Sequence, residues 1–298
     1  MTHILGERTI SLEMEKGEKQ SAEGLEILRL RLEDSKDAAS PGRFAAQSVE
    51  DLVANERPVS IEVNGKLAAV VMALPGGEEE LAAGFVLGEG LIRSREELLL
   101  LRACEPEPPL DGKGDPSRWP VKVKVVIPVS RQPDKAEPAL VRYACGAAAT
   151  AQSAPLQEPL PLGLKVRAET LREMLAHFTA AQETFRATGC THAAGLFEAD
   201  GRLVILREEI GRHNAVDRVL GHALLNEMGL SDKTLIASGR ASADLAYKAL
   251  SARVPILASL SAPTALAVDW ARKGGLTLIG FLRPRRFNIY AWPERILN

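Results

Sequence analysis

THAAGLFEADGRLVILREEIGRHNAVDRVLG, residues 191–221, is the stretch of this 298-residue chain that decides its fold. Two short, mostly apolar runs, Ala193–Glu198 and Leu203–Arg207, flank Ala199-Asp200-Gly201, and together they predict two strands joined by a hairpin turn. A helix is predicted directly afterwards, over 214–228. A strand pair followed at once by a helix is typical of a mixed α/β domain.

The alternation of helices and strands continues on both sides of this stretch. Before it, apolar residues at helical spacing predict a helix over 169–186. Strands alternating with helices indicate a layered α/β domain over 164–298, and we expect its inner sheet to be largely parallel. The remaining helices are predicted near 242–252 and 263–273, and the remaining strands near 234–237, 255–260 and 276–281.

A smaller α+β domain is predicted ahead of it, over residues 51–130. Asn64-Gly65 suits the positive φ angles of a two-residue hairpin turn and separates two strand-like runs. The acidic residues Glu78–Glu80 are typical of a helix start, and alternating apolar and basic residues predict a strand over Val121–Val129.

Two segments carry neither pattern. Residues 1–50 are rich in charge and are predicted to be a poorly structured tail, whereas 131–163 is rich in proline and alanine and is predicted to be a flexible loop. Cys145 lies in this loop, within YACGAAAT, and the charge of Arg142 three residues earlier would stabilise a thiolate. The alternative is an unreactive thiol.

Composition excludes several classes of protein. Lys and Arg number 37 against 39 Asp and Glu, a net charge of -2, which argues against a nucleic-acid or membrane-surface partner. Three cysteines, no signal-peptide pattern and no apolar run near the ~20 residues of a membrane span lead us to expect a soluble cytoplasmic protein. The sequence has no CxxC, HxH or HExxH spacing, so we expect no zinc or other metal site.

Ligands of α/β sheets gather at the carboxyl ends of strands, where helix N-termini offer free N–H groups. The junctions at those ends are Gly211-Arg212-His213-Asn214, Ser238-Gly239-Arg240 and Ser261-Ala262-Pro263-Thr264. Because arginine binds phosphate through two parallel hydrogen bonds, the set resembles a phosphate or nucleotide pocket. The alternative is that Asn214, Ser242 and Thr264 only cap helices while the arginines are solvated.

A basic turn follows the last predicted strand, and two turns have a histidine beside them. At the carboxyl end of a strand, the basic turn is either a binding element or a solvated run of charge. His192 and His213 are each more typical of a structural histidine than of a catalyst or a ligand. The residues of the basic turn are Phe281, Leu282, Arg283, Pro284, Arg285 and Arg286.

Several long motifs follow one another along the chain: RPVSIEVNGK (57–66), EELAAGFVLGEGLI (79–92), the opening stretch (191–221), LIASGRASADLAYKAL (235–250) and VPILASLSAPTALAVDWARKGGLTLIGFLRPRRFNIYA (254–291). In this order they resemble the formate dehydrogenase accessory (FdhD/NarQ) sulfurtransferase family. The resemblance runs from about Arg57 to Ala291 and leaves out residues 1–50. It implies a cytidine-deaminase-like, three-layer α/β domain preceded by a small α+β domain, in a homodimer.

The resemblance also implies a function. Members accept sulfur from a cysteine desulfurase as a persulfide on a loop cysteine, here Cys145. They pass it to the molybdenum (or tungsten) bis-guanine-dinucleotide cofactor before that cofactor enters formate dehydrogenase. The basic turn falls on the family's cofactor-binding stretch, and the three junctions would hold the guanine nucleotide portion, which a guanine nucleotide is expected to mimic. The cofactor-binding residues so implied are Phe281, Leu282, Arg283, Pro284, Arg285, Arg286, Arg212, His213, Asn214, Ser238, Gly239, Arg240, Ser261 and Thr264.

Two departures from the family pattern keep an alternative open. The family loop commonly reads CxxC, but Ala148 stands at the second position, so a relay between two thiols within the loop is unavailable. Cys190 stands where relatives often have glycine, either as an inert replacement or as a resolving partner for Cys145. The alternative function is a cofactor-binding chaperone without sulfur transfer. A nucleobase deaminase lacks support because every zinc ligand is missing.

Overall fold

The computed structural model of the chain describes residues 21–33, 43–106, 108, 113–128 and 158–298. Within these residues no helix is both long and apolar enough to cross a membrane. The helices are α1 (Glu78–Gly88), α2 (Ala168–Ala180), α3 (Glu183–Thr188), α4 (Arg212–Leu225), α5 (Ala243–Ser251) and α6 (Ala265–Gly274). The strands are β1 (Ala22–Glu33), β2 (Arg43–Ala54), β3 (Arg57–Val63), β4 (Lys66–Ala73), β5 (Leu100–Ala103), β6 (Val121–Val126), β7 (Val166–Arg167), β8 (His192–Phe197), β9 (Leu203–Glu209), β10 (Thr234–Ala237), β11 (Ile256–Ser259), β12 (Thr277–Arg283), β13 (Arg286–Ala291) and β14 (Ile296–Leu297).

The large sheet of the described chain has six strands, in the order β13-β12-β11-β10-β8-β9. The pairings among β10, β11 and β12 are parallel, whereas β8 pairs antiparallel with both β9 and β10, and β12 pairs antiparallel with β13. The prediction of a largely parallel sheet is therefore wrong. Two short turns reverse the direction of the chain, so that β9 pairs antiparallel with β8 and β13 with β12. They are Ala199-Asp200-Gly201 and Arg283-Pro284-Arg285-Arg286.

Helices cover both faces of this sheet because its inner strands are apolar on both sides. α4, α5 and α6 pack on one face with Leu196, Leu235 and Leu257, while α2 packs on the other face with Phe197 and Ile236. Neighbouring residues of a strand thus fall into two separate buried clusters, as the two-residue period of a strand requires. The fold is mixed α/β, and the cytidine-deaminase-like arrangement within that class stays a prediction.

The small sheet has the order β4-β3-β6-β5 and packs against α1. Asn64 and Gly65 have φ angles of 50° and 76°, so the hairpin turn predicted between these two strands is present. In β6, Val121 and Val125 are buried while Lys124 is exposed, which is the alternation that the sequence predicts. A helix also follows the acidic start, so the elements expected of a small α+β unit are found.

α1 and α4 cross at two glycines, and their backbones come into direct contact there. A Cβ atom at Gly84 would lie 1.6 Å from the carbonyl oxygen of Asp217, and one at Gly221 would lie 1.8 Å from the carbonyl oxygen of Glu80. Any larger residue at either position would force the two helices apart. Because α1 packs with the small sheet and α4 with the large sheet, this crossing joins both into one hydrophobic core.

Ion pairs flank the crossing, and the one between Lys248 and Asp217 is buried. Lys248 of α5 lies 2.8 Å from Asp217 of α4 and 3.0 Å from Glu89, the residue after α1. Burial acts against the charge of this lysine, but the two carboxylates raise the pKa of Lys248 above its ordinary value. On the far side, Arg207 of β9 lies 2.8 Å from Glu80 of α1. A buried charge without any partner is costly, so the contacts of Lys248 with both carboxylates orient α1, α4 and α5 against one another.

The prediction of a poorly structured tail over 1–50 is wrong where β1 and β2 form a two-stranded ribbon. The two strands pair antiparallel along their whole length, beginning with Ala22 opposite Ala54. The sequence LRLRL at 28–32 alternates with the period of a strand, but the charge-rich composition conceals that pattern. Ala22 is buried, but several large apolar residues of the ribbon are exposed, and Leu28 is 69% exposed.

The helix predicted over 169–186 is two helices, α2 and α3. Gln182 interrupts the helical backbone, and its side chain donates a hydrogen bond of 3.1 Å to the carbonyl oxygen of Phe178. The Glu208 carboxylate of β9 then accepts hydrogen bonds from the backbone N–H groups of Thr184 and Phe185, at 2.8 and 2.7 Å. A side chain of another element thus accepts the hydrogen bonds of the free N–H groups at the start of α3. The helical spacing of apolar residues within the segment does not indicate this break.

The prediction of a flexible loop over 131–163 is wrong at the C-terminal end of that segment. Leu160 is buried, and its N–H donates to the carbonyl oxygen of Gly274 over 2.9 Å. The buried Arg295 donates from Nη2 to the carbonyl oxygen of Leu160 over 3.2 Å, which holds this end against the large sheet. The rest of the predicted loop, 131–157, lies outside the described residues.

Replacing Gly84 by alanine is expected to destabilise the protein strongly. The added methyl group collides with backbone atoms of α4, which cannot move aside as a flexible side chain can. We therefore expect a loss of about 3 kcal/mol in the free energy of unfolding. The measurement is chemical denaturation of Gly84→Ala beside Gly229→Ala, whose new Cβ would meet nothing within 4 Å. Equal stability of both variants would show that the crossing is not closely packed.

Candidate functional site

The predicted strand–helix junctions lie together at one edge of the large sheet. β10, β11 and β12 are parallel, so their carboxyl ends meet at this edge. Backbone hydrogen bonds of 3.0 Å connect the junctions: the N–H of Thr264 donates to Ala241, and the N–H of Phe281 donates to Ser261. We call this region, made of residues 211–214, 238–242, 261–264 and 280–286, the candidate edge.

Arg212 lies at the centre of the candidate edge, at the start of α4. A Cβ atom at Gly239 would lie 2.8 Å from both Cβ and Cδ of Arg212, so the arginine packs directly on the glycine backbone. This close approach requires glycine at position 239. Within the described residues, the Nε atom of Arg212 is buried and has no hydrogen-bond partner. A buried donor without an acceptor is costly, so this guanidinium is suited to an anionic ligand.

His192, at the start of β8, lies beside the same junction. Its Nδ1 atom is 3.1 Å from the hydroxyl oxygen of Ser238, which also accepts a hydrogen bond of 3.0 Å from the N–H of Ala193. Burial lowers the pKa of His192, and the neighbouring Arg212 lowers it further. The imidazole is therefore neutral at physiological pH.

His213 is held between α4 and α5. Its Nε2 atom lies 3.4 Å from the hydroxyl oxygen of Ser242 and 3.8 Å from a carboxylate oxygen of Asp244. Burial, and next the charges of Arg212 and Lys248, lower the pKa of His213 to about 3. A neutral imidazole contacts Asp244 as a polar group and not as a charged partner.

The predicted basic turn overlaps two strands: its first three residues end β12, Pro284 and Arg285 make the turn, and Arg286 begins β13. The sequence pattern does not predict β13. Gly280 is needed before the turn, because a Cβ atom there would lie 2.8 Å from Cδ of Pro263. Phe281 follows with a positive φ angle of 52°, a strained conformation for an aromatic residue that is common at functional sites. The exposed residues of the turn include Arg285 and Arg286, which extend the positive charge of the candidate edge.

Three residues of the predicted set form contacts within the protein. Leu282 is fully buried in the hydrophobic core. Asn214 is buried, and its side-chain amide donates to the carbonyl oxygen of Met72 over 2.8 Å. Arg283 donates from Nη1 to the carbonyl oxygens of Leu260 and of its own neighbour Leu282, at 2.5 and 2.8 Å. Their assignment as binding residues stays a prediction, and each of the three side chains also has a contact within the protein.

The other predicted residues lie on the candidate edge. Thr264 accepts a hydrogen bond of 3.3 Å from the N–H of Ala267 and caps α6, as the capping alternative predicts. Ser261 donates its N–H to the hydroxyl oxygen of Ser259 over 3.0 Å, while Arg240 is exposed. Their binding of a ligand stays a prediction. Sequence analysis interprets His192 as a structural histidine, because nothing in its local pattern links it to Ser238.

A buried ion pair between β9 and α4 holds α4 in position next to the candidate edge. Glu209, at the end of β9, lies 2.6 Å from Nε of Arg218 in α4 and accepts a hydrogen bond of 2.9 Å from the N–H of Leu74. Burial raises the pKa of Glu209, and Arg218 and the backbone N–H groups offset part of that effect. Since Arg218 also donates to the carbonyl oxygen of Leu74 over 2.7 Å, the segment after β4 holds the first turns of α4 in place.

The predicted sulfur carrier, Cys145, lies outside the described residues. Cys190 is exposed in the connection between α3 and β8, two residues before His192, and its N–H donates to the hydroxyl oxygen of Thr188 over 3.2 Å. Cys104 follows β5 and is half-buried. In the described part of the chain, no three His, Cys, Asp or Glu side chains are grouped so that they could hold a metal ion.

Comparison with known proteins identifies the family. Residues 54–297 match the FdhD/NarQ family. Sulfur carrier protein FdhD of Nocardia farcinica is 40% identical over 253 residues, which cover 83% of this chain and 88% of that protein. Sulfur carrier protein FdhD of Streptomyces coelicolor is 38% identical over 263 residues, which cover 85% of this chain and 91% of that protein. The chain therefore belongs to the FdhD/NarQ family, which confirms the resemblance of its motifs.

A solved structure is similar to the whole fold. It is the crystal structure of a protein from Desulfotalea psychrophila, provisionally assigned as a formate dehydrogenase accessory protein. The TM-score is 0.65 at 25% sequence identity, and the match covers 92% of this chain and 100% of the other.

The depressed pKa of His213 predicts a specific dependence of stability on pH. The unfolded chain binds a proton as the pH falls below the ordinary value of 6.5, whereas the folded protein does so only near 3, so the free energy of unfolding falls across this range. Between about pH 7 and about pH 5, the free energy of unfolding of His213→Gln should therefore fall by about 2 kcal/mol less than that of wild type.

Urea denaturation at both pH values provides the measurement. His177→Gln, which changes an exposed histidine of α2, is the matched control. If wild type and His213→Gln lose the same stability between the two pH values, His213 does not titrate with a depressed pKa.

Proposed function

We propose that this protein carries sulfur during the maturation of formate dehydrogenase, with Cys145 as the carrier. The observation that supports the proposal most directly is the similarity to relatives named Sulfur carrier protein FdhD, at 38–40% identity over more than four-fifths of each chain. The donor we propose is the persulfide of a cysteine desulfurase. The acceptor is the molybdenum or tungsten bis-guanine-dinucleotide cofactor, which is the substrate of the protein and not its resident group.

The proposed sulfur step is a thiol exchange. The Cys145 thiolate attacks the outer sulfur of the donor persulfide, a sulfur–sulfur bond forms on Cys145, and the bond within the donor breaks. The donor leaves as a thiolate, and the transferred sulfur keeps its proton, so atoms and electrons balance. Only one thiol is required, so the presence of Ala148 in place of a second cysteine is compatible with this step.

The candidate edge is the proposed binding site for the guanine nucleotide portion of the substrate. Its exposed arginines, Arg240, Arg285 and Arg286, offer charge to the phosphates. The buried, unpartnered Nε of Arg212 fits the same anionic group. Holding the substrate by its phosphates would convert sulfur transfer from Cys145 into an effectively intramolecular step. We propose that the protein acts in the cytoplasm as a homodimer and delivers the substrate to formate dehydrogenase.

Mass spectrometry of the intact protein tests the sulfur step. After incubation with a cysteine desulfurase and cysteine, wild type should gain one sulfur atom that is removed by a thiol reductant, and Cys145→Ala should gain none. Cys190→Ala is the matched control, because it removes an exposed thiol elsewhere, and it should still gain sulfur.

Other outcomes point to defined alternatives. Sulfur retained by Cys145→Ala but absent from Cys190→Ala would move the carrier to Cys190. If no form gains sulfur while wild type still binds GDP, the sulfur-transfer proposal fails. The cofactor-binding chaperone then takes its place, an outcome that the absence of a second loop cysteine already favours mildly.

Titration with GDP tests the binding site. Arg285→Ala combined with Arg286→Ala should weaken GDP binding about tenfold, because two charged donors to phosphate are lost. The matched control removes two adjacent exposed basic residues at the end of α6, Arg272 and Lys273, and should bind like wild type. Equal weakening in both double variants would indicate general electrostatic attraction instead of a site at the basic turn.

A further inference from the structure

We propose that one face of the ribbon formed by β1 and β2 is the surface on which a second copy of this chain docks. The inference rests on the proposed homodimer, because it names the surface that would hold the two copies together. Strand pairing divides the ribbon into two faces, and we call the one that carries Leu28, Leu30, Leu32 and Phe44 the outer face. The candidate edge belongs to a different sheet.

The outer face is apolar over most of its length. Leu28, Leu30 and Leu32 alternate along β1, and the register sets Leu30 opposite Ala46 and Leu32 opposite Phe44. Alternate residues of a strand point to the same side, so these five side chains lie together. The exposed fractions of the four large ones run from 59% at Leu30 to 69% at Leu28. Within the described residues, this face is open to solvent.

The opposite, inner face of the ribbon is turned toward the rest of the protein. Ile27 and Val49 lie opposite each other on this face and are half-buried. β2 also contacts α3. A two-stranded ribbon is only marginally stable in water, and a permanently exposed apolar face on it promotes unspecific association. We therefore expect a partner that is itself apolar to cover the outer face.

The charges of the ribbon point to a second copy as this partner. The half that leads into β3, residues 22–28 and 48–54, contains four carboxylates and no basic residue. The other half, residues 29–33 and 43–47, contains three arginines and one glutamate. Two ribbons that run antiparallel therefore set the acidic half of each copy against the basic half of the other. A parallel arrangement would bring like charges together.

The antiparallel arrangement also determines which residues meet. A twofold axis that crosses the strands at position 30 places Leu30 against its own counterpart and Leu28 against position 32 of the second copy. Leucine side chains fill the ~10 Å between two sheets that pack face to face. Glu26 and Glu50, which lie opposite each other on the outer face, then stay at the ends of the contact, away from their counterparts. Because the contact is isologous, every substitution in it acts twice.

Sedimentation equilibrium of the full chain tests this surface. Wild type should be a dimer, and Leu30→Glu should weaken dimer formation roughly 100-fold or more, since two carboxylates would be buried against each other at the axis. Leu99→Glu is the matched control, because Leu99 is 63% exposed and lies just before β5, outside the ribbon. This control should form the dimer like wild type.

A pair of opposite charges separates docking from misfolding. Leu30→Lys should also fail to form a dimer with itself, because two like charges would meet at the axis. An equimolar mixture of Leu30→Glu and Leu30→Lys should restore a dimer that contains one copy of each, since opposite charges then lie against each other. Variants that had only failed to fold would not recover on mixing.

Each outcome decides the inference. Loss of the dimer in both Leu30 variants, with recovery in the mixture, supports docking through the outer face. A dimeric Leu30→Glu overturns it and leaves the outer face to a different partner. Equal dissociation of Leu99→Glu, or loss without recovery in the mixture, also overturns it, because the effect would not depend on contact at position 30. A monomeric wild type would overturn the proposed homodimer itself, a result distinct from the variant-specific outcomes.

Discussion

The structure depends on the close crossing of α1 and α4 at Gly84 and Gly221. Each helix carries the apolar cover of a different sheet, and the two backbones touch because neither glycine has a side chain. The small and large sheets consequently share one core. Van der Waals contacts and apolar burial at this crossing stabilise the packing of both sheets. The two helices are so close that a single added methyl group would disrupt the contact. The buried Lys248, Asp217 and Glu89 then restrict how the helices can rotate.

The crossing also positions the candidate edge, because α4 begins there. Its first turns are held from the small-sheet side, where Asn214 bonds to Met72 and Arg218 bonds to Leu74, and from the large sheet, where Glu209 ends β9. Arg212 is therefore presented by a rigid helix whose position is set on two sides. A site built on such supports keeps its donors aligned without rearrangement when a ligand arrives.

The sequence predicts the local elements well where turn chemistry is explicit, as at Asn64-Gly65, and the family motifs are confirmed by the comparisons. Prediction from the sequence fails where a contact with a residue far away in the chain determines the local structure. Glu208 creates a separate α3, Leu160 is anchored by Arg295, and the ribbon of β1 and β2 pairs without a core of its own. Within the candidate site, the junctions are predicted from strand ends. The structural roles of Leu282 and Asn214 are not, since burial depends on what packs against a residue.

By itself, the sequence determined most of the helices and strands of residues 57–283, the hairpin turns at Asn64-Gly65 and Ala199-Asp200-Gly201, the family and the residue types at the candidate edge. These features depend on neighbouring residues, whose spacing and backbone preferences are legible along the chain. Only the tertiary structure decided that β8 lies antiparallel beside β10, which brings His192 to Ser238. The physical reason is that strand order and helix crossings are set by contacts between residues far apart in the chain, and no local pattern encodes them.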